Sequence, residues 1–291
     1  MTAGEELWVL AGLAFAFGLV VGSFLNVVIH RVPEGESIVQ PRSRCPQCGV
    51  SIASWDNIPL VSYILLRGRC RHCQVSIPLR YPLLELGTGL VFAAIALRFG
   101  PDPMMLVWAG FSAALIAAAA IDFDHQFIPD GISVGGTLVA LAVVPTARWL
   151  LGEPALSAWL VSLSGGLVGA GFLWTVGFAH ARVSAAMGRR FPHWPGEGEE
   201  MPTPGSLDYW TWFPGLGFGD VKLMALIGVC LGPVGVLWTI ILAAVVGLVW
   251  GGGLALFRGA ANMPFGFAPS IAVAAILTML LPPSFLSSLL G

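Results

Sequence analysis

An all-helical protein that crosses a membrane about eight times is the fold class this sequence predicts, on three observations. Only 10% of its 291 residues are charged while 56% are hydrophobic, against about 25% charged in a soluble domain. Apolar stretches of membrane-spanning length recur along the chain. The few charges are gathered between those stretches. The net charge of −2 supplies no basic field, so nucleic acid is not expected as a partner. The lipid bilayer is.

Four spans stand out, at about Leu7–Ile29, Met104–Ile121, Ala155–Phe178 and Val234–Phe257. Four weaker ones are Leu83–Leu97 with Glu85 inside it, Gly131–Leu151 with Pro145 and Arg148, the short Val221–Leu231, and Phe265–Leu281. Nothing basic precedes the first span, and its apolar run is long, so it is expected to be retained as a helix and not removed as a signal peptide. Arg31, Arg42, Arg44, Arg67, Arg69, Arg71 and Arg80 lie between the first two spans, half of the 14 basic residues. Basic loops stay in the cytoplasm, which puts this loop inside and both termini outside. The same alternation brings segments 122–130 and 182–220 to the cytoplasmic side. The domain plan is a first helix (1–30), a small cytoplasmic domain (31–80), and a multi-helix membrane domain (81–291) carrying an insertion at about 182–213. That insertion holds Arg189, Arg190, Glu197, Glu199, Glu200 and several prolines, and reads as an extended peripheral loop. Its Trp194, Trp210 and Trp212 suit the lipid interface. We find no internal repeat in the sequence.

The chemistry-bearing signal in the small domain is Cys45-Pro-Gln-Cys48 followed, 21 residues later, by Cys70-Arg-His-Cys73. Four thiolates at this spacing close a tetrahedron around zinc. Paired disulfides are the competing reading, but cytoplasmic thiols stay reduced. With four sulfur ligands there is no open position for substrate, so the zinc is structural, a staple for a domain too small to hold itself. His72 is read as a bystander, and Cys230 as a small buried hydrophobe.

Carboxylates inside or at the edge of a span are costly and need a reason. Asp122 closes the run of apolar residues from Ala113 to Ile121, and Asp220 follows Gly215-Leu-Gly217-Phe-Gly219. Two carboxylates entering from different helices on one face can share a proton and activate water. The competing reading is an ordinary helix cap at Asp220, with Asp130 capping the helix after it and Asp124 solvated. Asp122 ends a helix, whose carbonyl end favours the protonated acid. Asp220 begins one, whose amide end favours the anionic base, with Lys222 as a further positive neighbour. Ser23, Asn26 and His30 share one side of the first helix, but no nucleophile elbow accompanies them. They are expected to line an interface or a groove.

Together these residues resemble the bacterial type IV prepilin peptidases, bifunctional leader peptidases and N-methyltransferases, along nearly the whole chain. Gly22-Ser-Phe-Leu-Asn-Val-Val-Ile-His-Arg-Val-Pro33 is similar to the family's first-helix signature. The two Cys pairs flank Asn57-Ile-Pro59 and Leu66-Arg-Gly68 as they do there, and Arg80-Tyr-Pro-Leu-Leu-Glu85 begins the second helix. Ala120-Ile-Asp122 with Ile128-Pro-Asp130, and Gly217-Phe-Gly-Asp-Val-Lys-Leu223, match the two catalytic motifs. The chain departs from the pattern in its long insertion, in Pro214-Gly215 before the second motif, and in Met263-Pro-Phe-Gly-Phe-Ala-Pro269, where the second proline is displaced.

The resemblance implies a membrane aspartyl protease of the GxGD type in the bacterial inner membrane. Asp122 and Asp220 would be its catalytic pair at the cytoplasmic face, and prepilins or the pseudopilins of protein secretion its substrates. It also implies methylation of the new amino terminus from S-adenosylmethionine, for which no nucleotide-binding motif is present. Glu34, Glu36 and Glu85 are candidates to attract a basic leader. The alternative is an ion-coupled membrane transporter with a regulatory zinc loop, in which Asp122, Asp220 and Glu85 form a relay.

Overall fold

Among the described residues, ten α-helical elements in chain order account for nearly all of the regular structure. In the computed structural model, the structure describes residues 3–189, 191, 194, 201–258 and 266–288. The helices are α1 (Ala3–Arg31), α2 (Val61–Leu65), α3 (Arg80–Phe99), α4 (Met104–His125), α5 (Asp130–Leu150), α6 (Ala155–Ala186), α7 (Asp208–Thr211), α8 (Phe218–Arg258), α9 (Ala268–Leu280) and α10 (Pro283–Ser288). Among the described residues there is no strand, only isolated β-bridges.

The expected apolar stretches fall on helices, the last of them only from Ala268 onward, but fewer than eight have membrane-spanning length. Six helices are long and apolar enough to cross a membrane. Val221–Leu231 and Val234–Phe257 lie on two helical segments, together called α8, that meet at a break where Gly232 takes φ 73° and ψ 178° ahead of Pro233. That conformation is open to glycine and strained for other residues. The last apolar stretch gives α9, only 13 residues long, short of the roughly 17–25 that a span needs.

The chain divides into two compact units, Met1–Ile121 and Asp122–Gly291, the division falling inside α4. In the first, α1 lies against α3 through small residues. A Cβ added at Gly18 would sit 2.8 Å from the Cα of Gly89, and one at Gly22 would sit 2.7 Å from the Cα of Glu85. Such close approach is how helices gain dispersion contacts where lipid offers no hydrophobic driving force. Between α1 and α3 runs the Cys-bearing segment, and Trp108 of α4 stacks on Phe99 at 5.8 Å.

The second unit repeats the device. A Cβ added at Gly165 of α6 would fall 2.0 Å from the carbonyl oxygen of Gly228 of α8, and one at Gly169 would fall 2.5 Å from that of Met224. Thr239 of α8 and Thr278 of α9 meet at 3.4 Å, and Arg148 of α5 donates to the carbonyl of Cys230 at 3.1 Å. Cys230 itself is 2% exposed, as expected of a small apolar side chain. The rigid seam fixes α8, and with it the start of that helix where Asp220 sits.

Candidate active site and candidate metal centre

Asp122 stands in the last full turn of α4. The helix ends at His125, and Gln126, at φ 55°, turns the chain while its N–H donates to the Asp122 carbonyl at 2.9 Å. Phe127, Ile128 and Pro129 then lead into α5. The approach to Asp220 is built differently. Phe213 and Leu216 form a β-bridge about a turn in which Gly215 has φ 78°, and the N–H of Asp220 donates to the Gly217 carbonyl at 3.1 Å.

Both carboxylates are 6% exposed, and both line one cavity of about 300 Å³, together with Gln126, Ile128, Gly217 and Lys222. A third chain segment closes on Asp122. The N–H of Ala268, at the start of α9, donates to its Oδ2 at 3.3 Å. A Cβ added at Gly266 would lie 2.0 Å from that same oxygen, so a side chain there would have to displace the Asp122 carboxylate. Two buried carboxylates on one small cavity favour holding a single proton between them, because ionising both places like charges in a poorly solvated space.

Two details differ from expectation. Lys222 pairs with Asp130, not with Asp220, and its ammonium lies 5.7 Å from the Phe218 ring. Asp130 therefore acts as the ion-pair partner of Lys222, a cavity-lining residue, while Pro129 holds the cap position of α5 without a side-chain bond.

The 182–213 insertion is also not a peripheral loop where it is described. Trp194 is 1% exposed and packs with Ala181 and Phe213. Its indole donates to the Trp212 carbonyl at 3.1 Å, and that of Trp174 to Trp210 at 2.9 Å. The Arg182 guanidinium lies 3.8 Å from the Tyr209 ring centre. Phe213 and Leu216 press against Gly177 of α6, and His180 Nδ1 lies 3.1 Å from the Pro214 carbonyl. The insertion thus anchors the turn that leads to Asp220. Pro-rich composition hid this; the clustering of Trp and Tyr was the available signal. Arg190, Pro192, Pro195, Glu197, Glu199 and Glu200 lie outside the described residues, as do Met263, Pro264 and Phe265 of the C-terminal Pro/Gly segment.

The sulfur atoms of Cys45, Cys48, Cys70 and Cys73 all lie within 4.8 Å of one another, and those of Cys45 and Cys73 are 3.7 Å apart. A tetrahedral zinc with Zn–S bonds of about 2.3 Å requires sulfurs roughly 3.8 Å apart, so the set fits a metal ion. The cysteines are free of disulfides.

Each pair sits in the same tight hairpin. Cys45 N–H donates to Val50 and Gly49 N–H to Cys45, and Cys70 N–H donates to Val75 and Gln74 N–H to Cys70. The bridges Arg44 to Ser51 and Arg69 to Ser76 close both. Arg44-Cys-Pro-Gln-Cys-Gly-Val-Ser-Ile52 and Arg69-Cys-Arg-His-Cys-Gln-Val-Ser-Ile77 are a repeat visible in the sequence that the sequence reading overlooked. Backbone amides of Cys48 and then Gln47 hold the Cys45 thiol down to about 6 against its burial. Those of Cys73 and His72 lower Cys70. At Cys73 the Val75 amide also pulls down, but burial and the three neighbouring sulfurs outweigh it and push the thiol up to about 11. Sulfurs so crowded ionise together only around a cation.

The sequence profile of the Bacterial Peptidase A24 N-terminal domain matches residues 16–99, and that of the Type IV leader peptidase family matches residues 109–252. A prepilin leader peptidase/N-methyltransferase of Burkholderia pseudomallei is 32% identical over 92% of this chain and 84% of its own. The chain belongs to the type IV leader peptidase family. A protein of the same description from Pseudomonas putida is 33% identical, covering 92% of this chain and 89% of its own. One from Myxococcus xanthus is 50% identical over 44% of this chain and 38% of its own. No solved structure matches. This is a protease family, and with six membrane-length apolar helices the chain is a multi-pass protein of the bacterial inner membrane.

Proposed function

We propose that the protein cleaves the leader from type IV prepilins or secretion pseudopilins at the cytoplasmic membrane face, using Asp122 and Asp220, and methylates the new amino terminus. The observation that carries the cleavage reading is the pair of buried carboxylates, from α4 and α8, on one cavity. Asp220, at the amide end of its helix, takes a proton from water, whose oxygen attacks the scissile carbonyl while Asp122 protonates the carbonyl oxygen. The proton on Asp220 then passes to the leaving nitrogen as the C–N bond breaks. The Ala268 N–H holds Asp122 in place through this exchange.

Zinc on Cys45, Cys48, Cys70 and Cys73 is structural, because four sulfurs leave it no open position. S-adenosylmethionine supplies the methyl group when bound. Relatives described as peptidase and methyltransferase do not favour a transporter.

The test is purified protein incubated with a prepilin, read by mass spectrometry. Asp122→Asn and Asp220→Asn are each expected to abolish the shortened product while leaving insertion unchanged. Turnover near that of the parent in either variant removes that residue from the mechanism. Gly266→Ala drives a methyl group into the Asp122 carboxylate and is expected to cost at least about 100-fold in cleavage rate, as small misplacements of reacting groups do.

A further inference from the structure

Among the described residues there is a second cavity, larger than the one that holds the aspartates. It lies within the first unit, encloses about 700 Å³, and is walled by α1, the Cys hairpins and the start of α3. That volume falls inside the roughly 300–1,000 Å³ of small-molecule sites. It has room for a nucleoside-bearing methyl donor beside the end of a peptide.

One wall is organised around Glu85, 9% exposed. Its Oε2 accepts the Leu60 N–H at 2.9 Å, and the Ser23 hydroxyl is a further hydrogen-bond partner. Leu60 has φ 58° and ψ −46°, and Val61 N–H bonds to the Pro59 carbonyl at 2.6 Å. That is a γ-turn of the positive-φ kind, rare and strained. Strain of this sort survives only where surrounding structure imposes it, and it gathers at functional sites. Ser62 supplies the restraint, accepting the Ile58 N–H and donating to the Trp55 carbonyl, both at 2.9 Å. On the other side, α1 packs so closely at Gly22 that no side chain fits over the Glu85 backbone. A carboxylate is thereby fixed on the cavity wall.

Other charged and titratable groups line the same cavity, namely Arg44, Glu34, Glu36, His30 and His72, with His30 Nδ1 3.8 Å from Glu34 Oε1. Arg71 is paired bidentately with Asp56 at 2.7 and 2.6 Å, and the Arg31 guanidinium donates to the carbonyls of Ser37 and Pro41. What Glu85 suits is a small cation brought by a ligand.

We propose that this cavity is the methyl-transfer chamber and that Glu85 receives the α-ammonium group exposed by leader cleavage. The inference rests on the N-methyltransferase reading above and gives that activity its site. The ammonium yields one proton to the Glu85 carboxylate. The amine lone pair forms a bond to the donor's methyl carbon as the sulfur–carbon bond breaks, and the bonding electrons stay on sulfur. The sulfonium becomes a neutral thioether, the product is an N-methylammonium, and the proton on Glu85 passes to water. Charge is conserved at each stage. Asn26, whose side chain donates to the Tyr81 carbonyl at 3.2 Å, and Ser23 line the same cavity, the role expected for that face of α1.

The test is Glu85→Gln, which keeps an oxygen for the Leu60 N–H and removes the charge. Cleavage and methylation are measured on purified full-length protein. Binding is measured by calorimetry with two peptides that copy a mature pilin amino terminus, one with a free α-amino group and one acetylated, and with S-adenosylhomocysteine. Wild type is expected to prefer the free amine by at least tenfold. Glu85→Gln is expected to lose that preference and at least 100-fold of its methylation rate, while keeping its metal. Val27→Phe, which fills the chamber and leaves Glu85 alone, is expected to weaken S-adenosylhomocysteine binding at least tenfold. Glu85→Gln that methylates within threefold of wild type, or wild type indifferent to acetylation, overturns the assignment of Glu85. Undiminished binding to Val27→Phe overturns the chamber. Wild type that cleaves but never methylates overturns the transferase reading itself, a result separable from the others because the peptide preference is read without turnover.

Discussion

Two segments between membrane-length helices, 32–79 and the described residues of 187–217, are held together by opposite means. The first buries almost no large apolar side chain: Val39, Trp55, Ile64 and Leu65 are exposed, and the buried side chains include Cys45 and Ser62. Its order comes from tight turns and four converging sulfurs. The second lays Trp194 and Phe213 onto Ala181 of α6. It stacks Trp210 on Phe178 at 5.4 Å and seats Arg182 on Tyr209, with the buried Arg182 Nε lacking a hydrogen-bond partner. Ring faces hold that cation, as aromatic quadrupoles do. A segment with no core of its own needs a covalent or metal staple; one that borrows a helix face does not.

The largest effect should follow from removing the staple. On the proposed zinc, Cys45→Ser with Cys48→Ser should forfeit metal-linked folding energy on the order of 10–16 kcal/mol. Segment 32–79 should then become protease-sensitive and lose methyl transfer ahead of cleavage, while 187–217 keeps its protection from hydrogen exchange. Equal loosening of both segments would break the comparison. Trp194→Ala is the mirror experiment. Truncating a fully buried Trp costs about 3–5 kcal/mol, so the melting temperature and cleavage should both fall with metal content unchanged. A variant that loses zinc instead would show the two segments to be coupled.

A subtler separation uses Arg182→Ala, which removes a cation–π contact worth about 1–2 kcal/mol. It should raise exchange around Tyr209 and slow cleavage modestly. The smallest effect concerns the Asp56–Arg71 pair, where Arg71 holds the Asp56 carboxyl below its usual range. A lowered carboxyl pKa contributes stability above the unfolded value of about 3.9 and loses it as pH falls through the folded one. Wild type should therefore resist proteolysis of 32–79 slightly better than Asp56→Asn at pH 7, with the gap closing below about pH 4.

The same contrast explains what was legible in the sequence. Cysteine spacing is local, so the metal set could be read from two short strings, and Asp122 and Asp220 betrayed themselves as charges at the ends of apolar runs. The place of Trp194 could not be read that way, because Pro and Glu nearby signal a loop while its burial depends on a face of α6. Gly266 was hidden for a related reason. Its closeness to Asp122 spans most of the membrane domain, and no periodicity records such a meeting. The break at Gly232 was visible, since Gly232-Pro233 divided two apolar stretches that the structure also keeps as separate helical segments. The repeated hairpin was legible too, in the Arg before each cysteine pair and the Val-Ser-Ile after it, a signal weaker than the cysteines it flanks.

That duplicated hairpin bears on how such a module arises. One copy offers two thiolates, half of a tetrahedral set, so a chain with a single copy could close the site only by meeting another chain. Carrying both copies, with 21 residues between the inner cysteines, turns a bimolecular encounter into a tethered one. Short tethers set effective concentrations on the order of millimolar. Assembly of the site then no longer depends on how many molecules the membrane holds, and a scarce protein can keep its metal.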